Sequence, residues 1–424
     1  MPGHPETREE KLKIENIDVR DIARLYGTPV YVYNMKTLRE SIAEIRQLAP
    51  VTRYAMKACS NGEILREMRR QGVKIDAVSV FEIQRARHAG FAPGDICFTS
   101  DVFFNAEDAA YCLRNGIYVN CGTLGMVSEY GRALRRLGSG SSCISIRINP
   151  GEGHGHSKKT NTGGPYSKHG IWYQNLEQVK KIAREHGLSI TGVHMHIGSG
   201  GDMPHLQRIT EKLVGFAKEF EDLQTINFGG GLPYQYDPEK PQDDISAYRP
   251  ILEERTQVLE KHFGRKIVCE IEPGRRFVAG CGYLLGEVRS LNHTFDATGK
   301  RLDYVLVNIG FCHLLRPMAY GSYHPLRFVG DELGPERELI VAGPVCESGD
   351  VLTQENDEPV PRKLPMPKIG DLIVVGGTGA YGFAMSSNYN SQPLIPEVIV
   401  DGGQCRLARR RQTLDDVLRE ETHV

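Results

Sequence analysis

Three short segments of the sequence carry residue types that can do chemistry together. Lys57 closes an apolar run, the triplet Gly229-Gly230-Gly231 follows a second run, and Glu272 closes a third, shortly before Arg275. An amine among apolar neighbours loses its proton more easily and can attack an aldehyde. Adjacent glycines let backbone N–H groups approach a phosphate, and an acid can hold the proton of a pyridine nitrogen. The combination is typical of a protein that binds pyridoxal phosphate covalently.

Each of these segments also has an ordinary structural interpretation. A lysine is usually a solvated surface charge. Glu272 can instead form a salt bridge with Arg275 or Arg276, and a glycine triplet can be a flexible turn. The local sequence alone does not decide between the chemical and the structural interpretation of these segments.

Two histidines alternate on a short strand-like run. His194 and His196 flank Met195, so a period of two turns both imidazoles to the same side. No third ligand has suitable spacing, so no metal is predicted. One ring could instead stack on a planar cofactor, and the alternative is a histidine satisfied within the core.

Two later segments have functional residue types but weak local signals. Cys346 and Glu347 lie with Asp350 in a glycine-bounded strand and turn, and Tyr381 lies between glycines. Taken alone, both segments are structural. They would matter for chemistry only if the second domain, or a neighbouring subunit, reached over the mouth of the first.

Composition excludes several classes of protein. The 424 residues include 52 Lys and Arg against 53 Asp and Glu, so no nucleic-acid partner is expected. No apolar stretch reaches the ~18 residues of a membrane span, and the start of the chain is polar. The ten cysteines are scattered without a C-x-x-C pair, which favours a reducing compartment, the cytoplasm.

The order of elements predicts an α/β fold, a TIM-like (β/α)8 barrel. Eight short apolar or β-branched runs alternate with helical patterns, and no dinucleotide fingerprint supports an open doubly wound sheet. An active site of such a barrel lies at the carboxyl ends of its strands. The predicted strands are Arg53–Lys57, Lys74–Ser79, Ile96–Ser100, Tyr118–Cys121, Cys143–Asn149, Ile190–His196, Gln224–Phe228 and Ile267–Glu272.

A second, all-β domain is predicted from about Cys281 onward, where the alternation of strands and helices gives way to strands separated by turns. Strands separated by turns continue to about Val400, and an early strand at Pro29–Tyr33 can join them. A helix is predicted near Thr413–Glu421. We therefore expect a barrel over 37–280 and a β-rich domain from 1–36 and 281–424. The glycine- and histidine-rich segment 151–170 is the longest predicted loop of the barrel.

Several motifs together resemble the fold-type III pyridoxal-phosphate decarboxylases, and among them the diaminopimelate decarboxylases. The resemblance runs from about Asp21 to Arg419. It depends on Tyr54-Ala55-Met56-Lys57-Ala58-Cys59-Ser60-Asn61, His194-Met195-His196-Ile197-Gly198-Ser199-Gly200, the glycine triplet, Glu272-Pro273-Gly274-Arg275, Arg316-Pro317-Met318-Ala319-Tyr320-Gly321, Cys346-Glu347-Ser348-Gly349-Asp350 and Gly379-Ala380-Tyr381-Gly382.

The resemblance implies a set of residues around pyridoxal 5'-phosphate. Lys57 would hold the cofactor covalently, His196 would stack on its ring, and Glu272 would pair with the pyridine nitrogen. The rest of the cofactor, mainly its phosphate, would be bound by a larger group. That group is Ser199, Gly229, Gly230, Gly231, Gly274, Arg275 and Tyr381.

The resemblance also implies the substrate and the assembly. The reaction would convert meso-2,6-diaminopimelate, a small amino acid, to L-lysine and carbon dioxide. The substrate would be bound by Arg275, Arg316, Tyr320, Glu347 and Tyr381. Cys346, a candidate catalytic proton donor, and Glu347 would come from the other subunit of a homodimer.

Two alternatives to this substrate assignment stay open. The chain departs from the family's usual residues at Val80-Phe81 and at Asn308, Cys312 and His313. A decarboxylase of a related D-configured or modified diamino acid is therefore the second hypothesis. A non-catalytic regulator on the same fold is the third, although such a protein would not need Lys57, Glu272 and Cys346 together.

Overall fold

The chain forms two compact units. A computed structural model describes residues 12–153, 162–196, 198 and 203–422. One unit comprises residues 39–235 and 241–278, and the other comprises 1–38, 236–240 and 279–424. The short segment 236–240 therefore groups with the second unit, whereas the sequence had placed it inside the barrel. We call the two units the barrel unit and the β-rich unit.

The barrel unit is a closed sheet of eight parallel strands, which confirms the predicted fold class. Each strand pairs with the next along the chain, including the fifth with the sixth, and the eighth pairs with the first, which closes the sheet. The strands are β1 Val51–Ala55, β2 Lys74–Ala77, β3 Ile96–Ser100, β4 Tyr118–Cys121, β5 Cys143–Asn149, β6 Ser189–His194, β7 Thr225–Asn227 and β8 Val268–Ile271. A two-residue strand, Ile171–Trp172, extends β5.

Helices connect the strands of the barrel. They begin at side-chain caps that the sequence supplies: Asn61, Ser79 and Thr123 each accept a hydrogen bond from the first turn of their helix. The helices are Met35–Ile45, Gly62–Arg70, Val80–His88, Asp108–Arg114, Leu124–Leu137, Leu176–His186, Met203–Ala217, Tyr248–Phe263 and the short Arg275–Val278. Within the described residues, no helix has both the length and the apolar character needed to cross a bilayer.

The β-rich unit is built on a mixed sheet that includes the early strand Val30–Asn34 as an interior strand. That strand pairs antiparallel with the strand that follows the barrel and parallel with a strand near the C-terminus. The sheet order is Arg362–Pro365, Glu336–Ala342, Arg301–Val307, Gly282–Phe295, Val30–Asn34, Glu397–Asp401 and Gln404–Arg409, while Leu326–Val329 pairs with Leu372–Val375 beside Gly282–Phe295.

The same unit contains short elements beyond the predicted strands. Three helices lie at Val19–Tyr26, Arg316–Tyr320 and Leu414–Leu418, and only the last was predicted. Small hairpins lie at Lys13–Ile14 with Ile17–Asp18 and at Gln354–Glu355 with Glu358–Pro359. The first helix packs Val19 and Ile22 into the core of the sheet, which explains its formation despite its small size.

A buried ion pair joins the first and last strands of the barrel. Arg53 on β1 donates from Nε and Nη2 to the two carboxylate oxygens of Glu270 on β8, at 2.7 and 2.9 Å. The two side chains are 7% and 11% exposed, so each charge depends on the other. The pair therefore stabilises the closure of the barrel.

We expect Glu270→Ala to lower the free energy of unfolding by about 3–5 kcal/mol, because it leaves a buried guanidinium without its carboxylate. Urea denaturation measures this loss. The matched control is Glu253→Ala, which removes an exposed partner of Arg249 and is expected to cost about 1 kcal/mol or less. Equal losses in the two variants would contradict a special role for the buried pair.

Candidate active site

The predicted site residues of the barrel unit lie just beyond the carboxyl ends of its strands. The sequence had placed Lys57, His196 and Glu272 as the last residues of three strands. Instead, the strands end one or two residues earlier, at Ala55, His194 and Ile271, because the backbone turns there. The structure therefore confirms the edge of the barrel but corrects the strand limits.

Lys57 lies in a short 3-10 turn after β1. Met56 and Ala58 on either side are buried, whereas the side chain of Lys57 is exposed. The expectation that apolar neighbours would desolvate the amine is not met by this chain alone, because the turn directs Lys57 away from those neighbours. The amine is thus accessible at the carboxyl edge of the barrel.

Glu272 is a buried carboxylate with two polar partners. His194 Nε2 donates to one oxygen at 2.7 Å, and Asn227 Nδ2 donates to the other at 3.1 Å. Burial raises its pKa, but the charge and hydrogen bond of His194, with a smaller effect from Lys57, lower it to about 2. Glu272 is therefore ionised at neutral pH, and it does not use Arg276, which pairs with Glu44.

His196 is a neutral imidazole next to the glycine triplet. Burial and the positive charges of Arg147 and Lys57 hold its pKa well below the usual value. Its Nδ1 accepts a hydrogen bond from the Gly230 N–H at 3.2 Å. The two histidines consequently have different partners: His194 binds Glu272, and His196 contacts the turn after β7.

Neighbouring backbone segments lie so close to the glycine triplet that side chains would not fit there. Gly229 and Gly231 have φ of 75° and 91°. A Cβ at Gly229 would lie 2.1 Å from the carbonyl oxygen of Met195, and one at Gly231 would lie 2.4 Å from that of Gly198. Side chains already accept from two of its N–H groups, Asn227 Oδ1 from Gly229 at 2.8 Å and His196 Nδ1 from Gly230 at 3.2 Å. A phosphate can still approach the glycine backbone closely at Gly231, because no Cβ projects there. The turn fits the phosphate of pyridoxal phosphate.

Two further buried charges lie in this site, and the sequence reasoning missed both. Asp76 on β2 is 2% exposed, and its Oδ1 has no hydrogen-bond partner within the described ranges. Burial and the nearby charge of Glu272 raise its pKa, against the opposing charge of Lys57. Arg147 on β5 donates from Nη2 to the His196 carbonyl at 3.0 Å.

A pattern in the sequence could have found both residues. Asp76 interrupts the apolar run of β2, and Arg147 interrupts that of β5. A charged residue inside a barrel strand is seldom left without a role, because burial of a charge is costly. A buried carboxyl near Glu272 and Lys57 also fits a polar cofactor.

The remaining predicted cofactor residues of the barrel unit follow β8 or lie outside the described part of the chain. Gly274 packs closely, since a Cβ there would lie 3.1 Å from the carbonyl oxygen of Ala55. Arg275 begins the short helix that follows and is half-buried. Ser199 is outside the described residues, as is the part of the predicted 151–170 loop from 154 to 161.

Of the predicted substrate residues, Arg275 belongs to the barrel unit, and the other four belong to the β-rich unit. Arg316 begins a five-residue helix and is 4% exposed, and Tyr320 ends that helix and is 36% exposed. Arg316 Nη2 donates to Ser322 Oγ at 3.2 Å. A guanidinium held in this way can bind a carboxylate through two parallel hydrogen bonds.

Cys346 and Glu347 are exposed on a loop that Asp350 fixes. Asp350 accepts from the backbone N–H of Phe311 at 2.7 Å and of Val345 at 2.8 Å. Burial raises the pKa of Asp350 to about 6, partly offset by these two hydrogen bonds. The loop is thereby tied to the segment that precedes Arg316, while Cys346 and Glu347 stay at the surface.

Tyr381 has an unusual backbone conformation. Its φ of 58° is in the left-handed region, which an aromatic residue seldom adopts. The turn continues into Gly382, where a Cβ would lie 2.3 Å from the carbonyl oxygen of Thr378. Such conformations concentrate at ligand sites, because the surrounding structure must hold them in place.

The residues that depart from the family's usual pattern are used structurally. Asn308 Oδ1 accepts from the Glu287 N–H at 2.8 Å, and its Nδ2 donates to Thr28 at 3.0 Å. His313 is buried, its Nδ1 accepts from the Gly310 N–H at 3.2 Å, and burial lowers its pKa to about 4. The exposed Phe81 lies in the first turn of a helix.

No group of three or more His, Cys, Asp or Glu side chains that could hold a metal ion is found in the described part of the chain. The groups that the barrel edge offers for chemistry are the lysine, the buried carboxylates and the glycine turn. An exposed amine, an ionised acid and a glycine turn at one barrel edge suit an aldehyde cofactor that carries a ring nitrogen and a phosphate.

Comparison with known proteins agrees with that class. Residues 35–279 match the family described as pyridoxal-dependent decarboxylase, pyridoxal binding domain. The match covers more than half of the chain, and the chain belongs to this family. The cofactor of the family, pyridoxal phosphate, is therefore the cofactor of this protein.

Similar individual proteins include several diaminopimelate decarboxylases. The diaminopimelate decarboxylase of Escherichia coli K12 is 45% identical over 404 residues, which cover 93% of each chain. A crystal structure of diaminopimelate decarboxylase has a TM-score of 0.89 and 43% identity over 99% of each chain. The Helicobacter pylori diaminopimelate decarboxylase complexed with L-lysine has a TM-score of 0.83 and 27% identity, covering 95% of this chain and 99% of the other.

We expect Glu272→Gln to lower the free energy of unfolding at pH 7 by about 3 kcal/mol, since the ionised form is favoured only in the folded state. A carboxyl whose pKa falls from 4.5 to about 2 on folding contributes stability above pH 4.5 that is lost as the pH falls towards 2. The difference between the variant and wild type should therefore shrink at pH 4. Urea denaturation of both proteins, stripped of cofactor, measures it.

The matched control for this prediction is Glu185→Gln, which changes an exposed carboxylate 4.0 Å from Lys181. It should leave stability unchanged at both pH values. A Glu272→Gln deficit that is equal at pH 7 and pH 4 would show that the charge of Glu272 is not what stabilises the fold.

Proposed function

We propose that this chain is a carboxy-lyase that converts meso-2,6-diaminopimelate to L-lysine and carbon dioxide. The observation that carries the proposal is the grouping of Lys57, Glu272 and the glycine triplet at one edge of the barrel. The relatives named diaminopimelate decarboxylase support the choice of substrate. Loss of the carboxylate at the D-configured centre leaves the L-amino acid at the far end.

The cofactor residues act by holding and orienting. Pyridoxal phosphate, when bound, supplies the electron sink for the bond that breaks. Lys57 provides the amine that binds its aldehyde, and the ionised Glu272 keeps a proton on its ring nitrogen. The neutral His196 offers a flat ring for stacking. Ser199, Gly229, Gly230, Gly231, Gly274, Arg275 and Tyr381 bind the phosphate and the remaining edge.

The substrate residues distinguish the two ends of diaminopimelate. Arg316 binds the distal carboxylate, and Tyr320 and Glu347 bind the distal amino acid end, while Arg275 and Tyr381 contribute from the cofactor side. A site built to hydrogen-bond a group rejects analogues that lack it by as much as ~10⁴–10⁵-fold. Cys346 donates a proton to the carbon that has lost its carboxylate.

We propose a homodimer with shared active sites. Support comes from the exposure of Cys346 and Glu347 on a loop that Asp350 holds rigidly. A surface loop with two reactive side chains is suited to completing the site of a partner chain. The ten free cysteines support a reducing compartment, and we propose the cytoplasm.

The direct test is incubation of the purified protein with pyridoxal phosphate and meso-diaminopimelate, followed by detection of L-lysine and carbon dioxide. The same assay on a panel of D-configured and modified diamino acids tests the alternative substrates. No lysine from diaminopimelate, or a much faster reaction with another member of the panel, would reject the proposed substrate.

Arg316→Ala should lower kcat/KM for diaminopimelate about 100-fold or more, because a charge-assisted pair with the distal carboxylate is lost. D-lysine has the same D-configured centre but lacks the distal carboxylate, so its slower decarboxylation should change much less. Steady-state kinetics with both substrates measure the difference. Equal losses would argue against a carboxylate-binding role for Arg316.

Lys57→Ala and Cys346→Ala should each be nearly inactive, and Lys57→Ala should also lose the visible absorbance of bound cofactor. If the sites are shared, a refolded equimolar mixture should regain about 25% of wild-type activity, because mixed dimers contain one intact site. A mixture no more active than its components would contradict the shared site. An unchanged spectrum in Lys57→Ala would remove the lysine from its assigned role.

A further inference from the structure

Three neutral groups of the β-rich unit hold the guanidinium of Arg316. Its Nη1 donates to Nε2 of His324 at 2.9 Å, and its Nη2 donates to Ser322 at 3.2 Å. The ring of Tyr236 lies under the guanidinium, 4.8 Å from the guanidinium carbon to the ring centroid. The plane of Arg316 is therefore fixed on one face and along one edge.

The hydrogen bonds of His324 determine its tautomer. Its Nδ1 lies 2.9 Å from the carbonyl oxygen of Gly376, which can only accept, so Nδ1 carries the hydrogen. Its Nε2 faces a guanidinium nitrogen, which can only donate, so Nε2 must be the acceptor. At 1% exposure His324 is removed from solvent. The ring thus donates to the backbone at the end of one strand and accepts from the guanidinium, and the two roles cannot be exchanged.

The frame around His324 is rigid. Pro325 follows it, and the Gly376 N–H donates to the Pro325 carbonyl at 2.9 Å. The rings of Tyr236 and His324 meet edge to face with centroids 5.3 Å apart. At Gly377 a Cβ would lie 2.8 Å from the Tyr236 ring, so the glycine is what lets the ring reach this position. His324 therefore cannot shift without moving the end of a strand.

We propose that His324, supported by Tyr236, is a positioning residue that sets recognition of the distal end of the substrate by acting through Arg316. The inference depends on the proposed carboxylate-binding role of Arg316. This role also explains why segment 236–240 belongs to the β-rich unit, because Tyr236 in that segment supports the guanidinium. A recognition group must be held to within about 0.5 Å for full effect.

Two substitutions at His324 separate its two hydrogen bonds. In His324→Asn the amide can still donate to the Gly376 carbonyl from near Nδ1, but no acceptor reaches Arg316. In His324→Gln the amide oxygen can occupy the place of Nε2 and accept from Arg316. With the cofactor-loaded enzyme, His324→Asn should raise KM for meso-diaminopimelate about 10-fold or more, with kcat changed less than about twofold. His324→Gln should stay within about threefold of wild type in KM.

A double-mutant cycle distinguishes positioning from general support of the fold. In an Arg316→Ala background, His324→Asn should cause no further loss of kcat/KM for diaminopimelate, because its effect passes through the missing guanidinium. With D-lysine, which lacks the distal carboxylate, His324→Asn should change kcat/KM less than about twofold. If His324→Asn lowers kcat/KM by the same factor in both backgrounds, or equally for both substrates, the proposal is overturned.

The cycle also separates this inference from the function on which it rests. If Arg316→Ala does not alter the preference for diaminopimelate over D-lysine, the assigned role of Arg316 fails. If Arg316→Ala alters it and His324→Asn does not, only the positioning role of His324 fails. Should His324→Asn not bind cofactor or melt at a much lower temperature, Tyr236→Leu replaces it as the test. That variant should raise KM for diaminopimelate about fivefold, and an unchanged KM would overturn the proposal.

Discussion

The candidate active site is built around one buried carboxylate, Glu272, that its surroundings keep ionised. Glu272 stays charged because His194 and Asn227 each direct a donor at a different oxygen, and because the positive groups of the site lie nearby. Without these partners, burial would favour the neutral acid, which cannot stabilise a protonated ring nitrogen. Asp76 has the opposite environment, since the charge of Glu272 and its own burial raise its pKa. The surroundings of these neighbouring carboxyls thus shift their pKa values in opposite directions.

In the β-rich unit, hydrogen-bonded neighbours likewise hold the guanidinium of Arg316 and the loop that contains Asp350. Arg316 is oriented by a histidine whose other nitrogen is committed to a backbone carbonyl, and Asp350 ties two segments together through two backbone N–H groups. In both cases a side chain that contacts the backbone on one side fixes a functional segment on the other. Loop residues bonded to the ends of strands therefore set the geometry of the proposed substrate end.

The sequence could predict the barrel and the locations of its functional residues for a definite reason. Apolar runs alternate with helical patterns, and Lys57 and Glu272 come directly after such runs. It could not predict that His194 rather than Arg276 binds Glu272, since alternation gives the face of a strand but no partner. The support of Arg316 by Tyr236 was also out of reach, because the two residues are joined only by the folded chain. A helix at Val19–Tyr26 was missed because tertiary packing, not its length, stabilises it.

The residues that depart from the family's usual pattern bear on the fold more than on the substrate. Asn308 bridges Glu287 and Thr28, so its amide supplies both a donor and an acceptor where an aspartate would supply acceptors alone. His313 is neutral, buried and bonded to Gly310, and its carbonyl accepts from Tyr31 and Ser386. Side chains committed in this way are not available to select a modified substrate. Their identity therefore favours diaminopimelate over a diamino acid that would need a new contact at these positions.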